Sequence, residues 1–184
     1  MRMRKVMIAM VLGVVAGVVA SFAERADSAI TGGNATPLGY INTYTWLLVS
    51  ATIFGPVGAV ITTEVQAFIG LITAANPLSW LWPFVNCVFA VVVGTVSVVL
   101  SKLHPKMKLH TRVLFLSLSC ALLDIPMTYV VIVMVLGLPF NFYLLALPIY
   151  VTLQLVPSTL ISYAILRGIL RTQIIGIAQG VKDY

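Results

Sequence analysis

Gly55-Pro56-Val57-Gly58-Ala59-Val60-Ile61-Thr62-Thr63-Glu64, continuing to Asn76-Pro77, is the stretch whose reading decides the fold. It opens on a Gly-Pro turn signal and then runs apolar for about twenty residues, the length of a membrane span. It stops at Asn-Pro, because proline cannot continue a helix and restricts the residue before it. The span carries one carboxylate, Glu64, about 10 Å above its start. A charge in hydrocarbon is costly, so Glu64 is the first candidate functional residue.

The rest of the chain reads the same way. Of its 184 residues, 60% are hydrophobic and 9% charged, with a mean hydropathy of +1.07. A soluble domain carries about 25% charged residues, so this composition belongs in a bilayer. Six apolar runs can be read: 6–23, 39–54, 57–75, 78–103, 113–136 and 141–166. The fold class predicted is all-α, a single domain over 1–184 with six transmembrane helices. The run at 6–23 follows Arg2, Arg4 and Lys5 and ends near Ser21-Phe22-Ala23, as a signal peptide would; its length favours a retained helix. Glu24 to Leu38 reads as a polar loop.

Ten of the eleven Lys and Arg residues fall in the N-terminus, the Lys102–Arg112 loop and the C-terminal tail. The positive-inside rule then puts both termini in the cytoplasm, and the location expected is the cell membrane. The net charge of +6 is a topology signal. No nucleic-acid-binding motif accompanies it. Cys87 and Cys120 lie in apolar runs and read as small buried hydrophobes. His104 and His110 lack neighbouring carboxylates or thiols, so no metal is expected. Neither a phosphate loop nor a nucleophile–base pattern is present, so the reading is not an enzyme, and no cofactor is expected.

Ala9, Gly13 and Gly17 share one helix face and permit close approach by another helix, either a partner protein's or one in this chain. Few polar groups lie at depth: Glu64, Gln66, Asn86, Asp124 and Gln154. Glu64, Asp124 and Gln154 come from three helices and fall near mid-depth, with no cationic side chain beside them. That arrangement suits a cationic ligand, a transported ion or protonated acids. Tyr40, Tyr44, Trp46, Trp80, Trp82, Tyr143 and Tyr150 gather at the external helix ends, as interface anchors or as faces for a flat cation.

Six helices, small residues four apart in the first, and a Gly-Pro-x-Gly-Ala opening to the third resemble the S components of energy-coupling factor (ECF) vitamin transporters. Gly58-Ala59, Glu64, Asn76-Pro77 and Asp124 are similar in particular to the thiamine/hydroxymethylpyrimidine (YkoE-like) group. The stripe departs from that family's usual Ala-x-x-x-Ala, since glycines stand at 13 and 17. The resemblance implies a substrate-binding subunit that captures thiamine or hydroxymethylpyrimidine outside the cell. It implies partners: a transmembrane coupling subunit, reached through Ala9, Gly13 and Gly17, and two ATPase subunits. Trp46, Trp80, Trp82, Asn86 and Tyr150 join Glu64, Asp124 and Gln154 as expected ligand contacts. The alternative is a stand-alone proton- or cation-coupled transporter, with Glu64 and Asp124 as the relay.

Overall fold

The computed structural model describes residues 3–31, 36–73 and 79–171, and the described residues are helical almost throughout. Among the described residues, five helices are long and apolar enough to cross a membrane: Met3–Thr31, Pro37–Thr73, Ser79–Leu103, Leu109–Val135 and Phe140–Arg171. The difference from six predicted runs lies at Gly55. There α2 (Pro37–Thr73) has φ 69° and ψ −159°, a backbone open mainly to glycine. Pro56 follows and has no N–H to leave unpaired. The helix folds back on itself at this point. Gln66 Nε2 donates to Thr43 Oγ1 at 2.6 Å, although a straight helix would separate them by about 34 Å. The predicted runs 39–54 and 57–75 are thus the two antiparallel arms of α2, 37–54 and 56–73. Gly94 of α3 (Trp82–Leu103) seats the reversal; a Cβ there would stand 2.3 Å from Pro56 Cα.

Helix α1 (Met3–Thr31) packs against both arms. It lies parallel to the second: Thr62 Oγ1 donates to the Ala9 carbonyl at 3.1 Å, and Ser21 meets Thr73. It runs antiparallel to the first, where Asn42 Nδ2 donates to the Ala16 carbonyl at 3.0 Å. The expected loop at 24–38 is helical as far as Thr31, with both of its acids, Glu24 and Asp27, buried against the rest of the bundle. Asp27 accepts from the N–H groups of Leu38 (3.1 Å) and Gly39 (2.8 Å). It caps the start of α2, where Pro37 occupies the first helical position.

The stripe Ala9, Gly13 and Gly17 corrects an expectation. It is filled by the second arm of α2 and is not open to a partner helix. Cβ atoms at Gly13 and Gly17 would stand 2.7 Å from Val65 Cβ and 2.8 Å from Ile69 Cβ. A stripe of small residues marks close approach but not whose helix approaches.

Helix α4 (Leu109–Tyr129) contains Pro126 and widens into a π turn over Val130–Val135. After a Gly137 turn come α5 (Phe140–Leu153), a π turn at Gln154–Ser158 containing Pro157, and α6 (Thr159–Arg171). The wide turn at Pro157 leaves carbonyls that side chains take up: Ser158 Oγ donates to Leu153 O and Thr159 Oγ1 to Gln154 O. Serines also join helices by donating to backbone carbonyls, as Ser162 does to Thr45 at 3.1 Å. Leu47, Leu48, Phe89, Val93 and Leu116 form the centre of the core. Val11, Val18 and Phe22 of α1 and Leu144, Leu145 and Ile149 of α5 face outward, as suits lipid contact.

Gly94→Ala is expected to cost about 1–3 kcal/mol through overpacking on Pro56, read as a lower thermal-unfolding midpoint in detergent. Gly168→Ala, where an added Cβ meets nothing within 4 Å, should leave the midpoint unchanged or raised. Equal midpoints for both variants would mean that the reversal does not depend on Gly94.

Candidate functional site

Asp124 of α4 is buried in the bundle, and its charge is met by donors from two other helices. Tyr40 and Tyr44, one turn apart on the first arm of α2, donate to Oδ2 and, at 3.1 Å, to Oδ1. The Gln154 amide completes the set in the orientation that satisfies both its ends. Its nitrogen then lies 2.5 Å from Asp124 Oδ2, and its oxygen accepts from the Ala121 N–H at 3.3 Å. Tyr40 packs against Tyr44 and Tyr150, with ring centroids 4.4 and 4.8 Å apart. A buried carboxylate without a cation needs such donors to hold its place.

Tyr40 and Tyr44 also line a cavity at one end of the bundle. Its polar wall is Glu24 of α1, Thr43 and Gln66 of α2, and Asn86 of α3; Trp82 and Val85 of α3 add an apolar face. Ala20, Gly39, Ala67 and Gly70 leave the space open. Gly39 is constrained from behind, since a Cβ there would stand 2.7 Å from Glu24 Cγ. The cavity volume is about 50 Å³, room for a few waters or an ammonium-sized group. Two buried acceptors in this wall have no hydrogen-bond partner: Glu24 Oε2 and Gln66 Oε1. Gln66 has already given its amide nitrogen to Thr43.

The predicted site residues therefore divide. Trp82 and Asn86 line the cavity, while Asp124, Tyr150 and Gln154 form the network beside it. Trp46 lies elsewhere, donating Nε1 to Asn42 Oδ1 at 3.1 Å. Trp80 is half-exposed and outside the lining. Glu64 is also outside it. Two residues along a helix turn the side chain by about 200°, so Glu64 points nearly away from Gln66. It is half-buried on the side of the helix that carries the exposed Val57 and Phe68, and its buried Oε1 has no partner. Asn76-Pro77 lies outside the described residues.

Glu24 was not expected in the site, and Tyr40 and Tyr44 were expected as interface anchors or ring faces and not as donors to Asp124. The two tyrosines carry a signal in their i, i+4 spacing, which puts both hydroxyls on one face. Glu24 is readable only if α1 is allowed to continue, since no glycine or proline interrupts the sequence between Gly17 and Gly32. Among the described residues, no three His, Cys, Asp or Glu side chains converge as a metal site.

Compared with known proteins, the chain matches no family model, no curated sequence and no solved structure.

Tyr44→Phe is expected to destabilise the protein by about 1–3 kcal/mol, because a buried carboxylate oxygen loses its donor. Asp124→Asn should reduce that cost, which a double-mutant cycle of thermal stabilities measures. Strict additivity would mean that the hydroxyl does not serve Asp124.

Proposed function

We propose that this chain is the membrane-embedded substrate-binding subunit of an ECF-type uptake system, taking up a small cationic ring compound from outside the cell. The single observation that carries this reading is the cavity: acceptors without donors, beside Trp and Tyr rings, at one end of an otherwise apolar bundle. In this reading each arm of α2 crosses the bilayer, giving six crossings with both termini in the cytoplasm. Each arm has 18 residues and spans about 27 Å, close to the hydrocarbon thickness. The cavity then lies on the external side. Glu24, Tyr40 and Trp82 sit at the helix ends away from Arg4, Lys5, Lys102 and the basic loop.

Thiamine or hydroxymethylpyrimidine suits the chemistry. Trp82 offers a ring face to a cationic heterocycle, and Glu24, Gln66 and Asn86 offer hydrogen-bond acceptors. Asp124 holds Tyr40 and Tyr44 in position and does not meet the ligand itself. A site for a whole small molecule needs roughly 300 Å³ or more, so binding opens the cavity well beyond its present size. A transmembrane coupling subunit and two ATPases would supply the driving force. With the small-residue stripe filled, the coupling subunit would dock on the outward apolar face of α1.

A second reading is a stand-alone proton- or cation-coupled transporter. The small cavity favours it, since the space suits an ion or waters as it stands.

Calorimetric titration of thiamine and hydroxymethylpyrimidine into the purified protein separates the two readings, together with mass spectrometry of any co-purified small molecule. Binding of either compound is expected, weakened by about 0.5–2 kcal/mol in Trp82→Ala. Glu64→Gln should stay within about twofold of the parent, as an outward substitution does. No binding of either compound would remove the vitamin assignment. Cysteine labelling tests the orientation: a cysteine placed in the Lys102–Arg112 loop should be inaccessible from outside intact cells.

A further inference from the structure

The acids near the cavity are not equivalent. Both Asp27 oxygens are occupied by the N–H groups that open α2. Both Asp124 oxygens are occupied by Tyr40, Tyr44 and Gln154. Glu24 is more than nine-tenths buried, lines the cavity and keeps Oε2 without a partner. Gln66 on the second arm of α2 is buried to the same degree and keeps Oε1 free, with its amide nitrogen fixed on Thr43. Two residues of the wall, from two helices, thus hold a carboxylate oxygen and an amide oxygen that are both buried acceptors without a donor, reached by a ligand as the cavity opens. Leaving buried acceptors empty is costly, so their complement is a group with several N–H donors and positive charge. Gly39 makes room for Glu24, because a side chain there would run into Glu24 Cγ.

We infer that Glu24 and Gln66 form a subsite for an N–H-bearing cation, an ammonium, amidinium or protonated aminopyrimidine group. This rests on reading the cavity as the substrate site, and it narrows the substrate class. A cation without N–H bonds, such as a quaternary ammonium or an isolated thiazolium, satisfies the charge but leaves Gln66 Oε1 and part of Glu24 unpaired. In thiamine the group that enters would be the aminopyrimidine and not the thiazolium. The small cavity fits this assignment, since it accepts an amino or amidine head while the ring lies nearer Trp82.

The test uses the full-length protein in detergent and four probes in calorimetry: benzamidine, hydroxymethylpyrimidine, thiamine and benzyltrimethylammonium. The last has a ring and a charge but no N–H. Benzamidine and hydroxymethylpyrimidine should bind at least about tenfold more tightly than benzyltrimethylammonium, the scale of hydrogen bonds to a charged group. Glu24→Gln and Gln66→Met should each weaken the N–H cations several-fold or more; Gln66→Met should leave benzyltrimethylammonium unchanged, and Glu24→Gln should weaken it less than the N–H cations, with thermal midpoints recorded alongside. The probe comparison needs no variant, so it decides even if both variants fail to fold. Benzyltrimethylammonium binding as tightly as benzamidine would overturn the subsite, and so would no binding by any N–H cation. Thiamine bound equally by parent and Glu24→Gln would also overturn it while leaving the vitamin reading intact. Glu24-dependent benzamidine binding without either vitamin compound would keep the subsite and remove the vitamin.

Discussion

At Gly55 the backbone takes a conformation that a side chain would strain, and Pro56 follows with no N–H to leave bare. In an apolar medium every backbone donor and acceptor must find a partner inside the protein. A reversal within the bundle is therefore possible only where few groups are released and another helix covers them. Gly94 lets α3 come down onto the turn. The reversal sets the two arms of α2 side by side, so that Thr43 and Gln66 meet. It also gives α1 two surfaces to pack on, one through Ala9, Gly13 and Gly17 and one through Asn42 and Gly39. The cavity lies where these segments come together, near the ends of the two arms.

The bundle then handles each buried acid differently. Asp27 is spent on backbone N–H groups and is structural: it fixes where α2 begins. Asp124 is spent on phenols and an amide, which locks Tyr40, Tyr44 and Gln154 in one arrangement. Gln154 reaches it from the first residue of a π turn, a wide turn that proline and nearby hydroxyls sustain. Glu24 alone among the three keeps an unpaired oxygen, and it lines the cavity. The difference is physical: two acids have both oxygens met by donors within the chain, and the third keeps one oxygen without a donor.

The sequence made some of this legible. Gly55-Pro56 is local punctuation, and its meaning depends on two residues. Asp124 and Gln154 stood out because polar groups are scarce in apolar runs, and they do meet. Depth along a helix was therefore readable. Azimuth was not: Glu64 and Gln66 are neighbours in sequence and in depth, yet they face nearly opposite ways. Only the packing of α1 and the first arm of α2 decides which one looks inward. Glu24 and Asp27 looked like loop residues because a charged pair near Gly32-Gly33 usually is one. Their partners, the N–H groups at 38 and 39 and the side of Gly39, become visible only once the helices are assembled. The small-residue stripe was read correctly as a close contact, but its occupant is this chain's own second arm.

The walls of the cavity also differ in how much packing each would lose on opening. The α1–α2 side is held by glycine contacts with no slack, since even a methyl group at Gly13 or Gly17 has no room. The α3 side is pinned where Gly94 meets Pro56. Helix α5 is different. Tyr143 is its single buried residue, and most of its apolar side chains already face outward. It reaches the site through Tyr150, stacked on Tyr40. Helix α5 does not line the cavity, but displacing it exposes little new apolar surface and breaks no helix-to-helix glycine contact, so it is the neighbour of the site held least tightly. Movement there would also unstack Tyr150 from Tyr40, one of the two phenols on Asp124. The cavity and the Asp124 network meet at Tyr40 and Tyr44, which belong to both, so a shift of either phenol is felt on both sides.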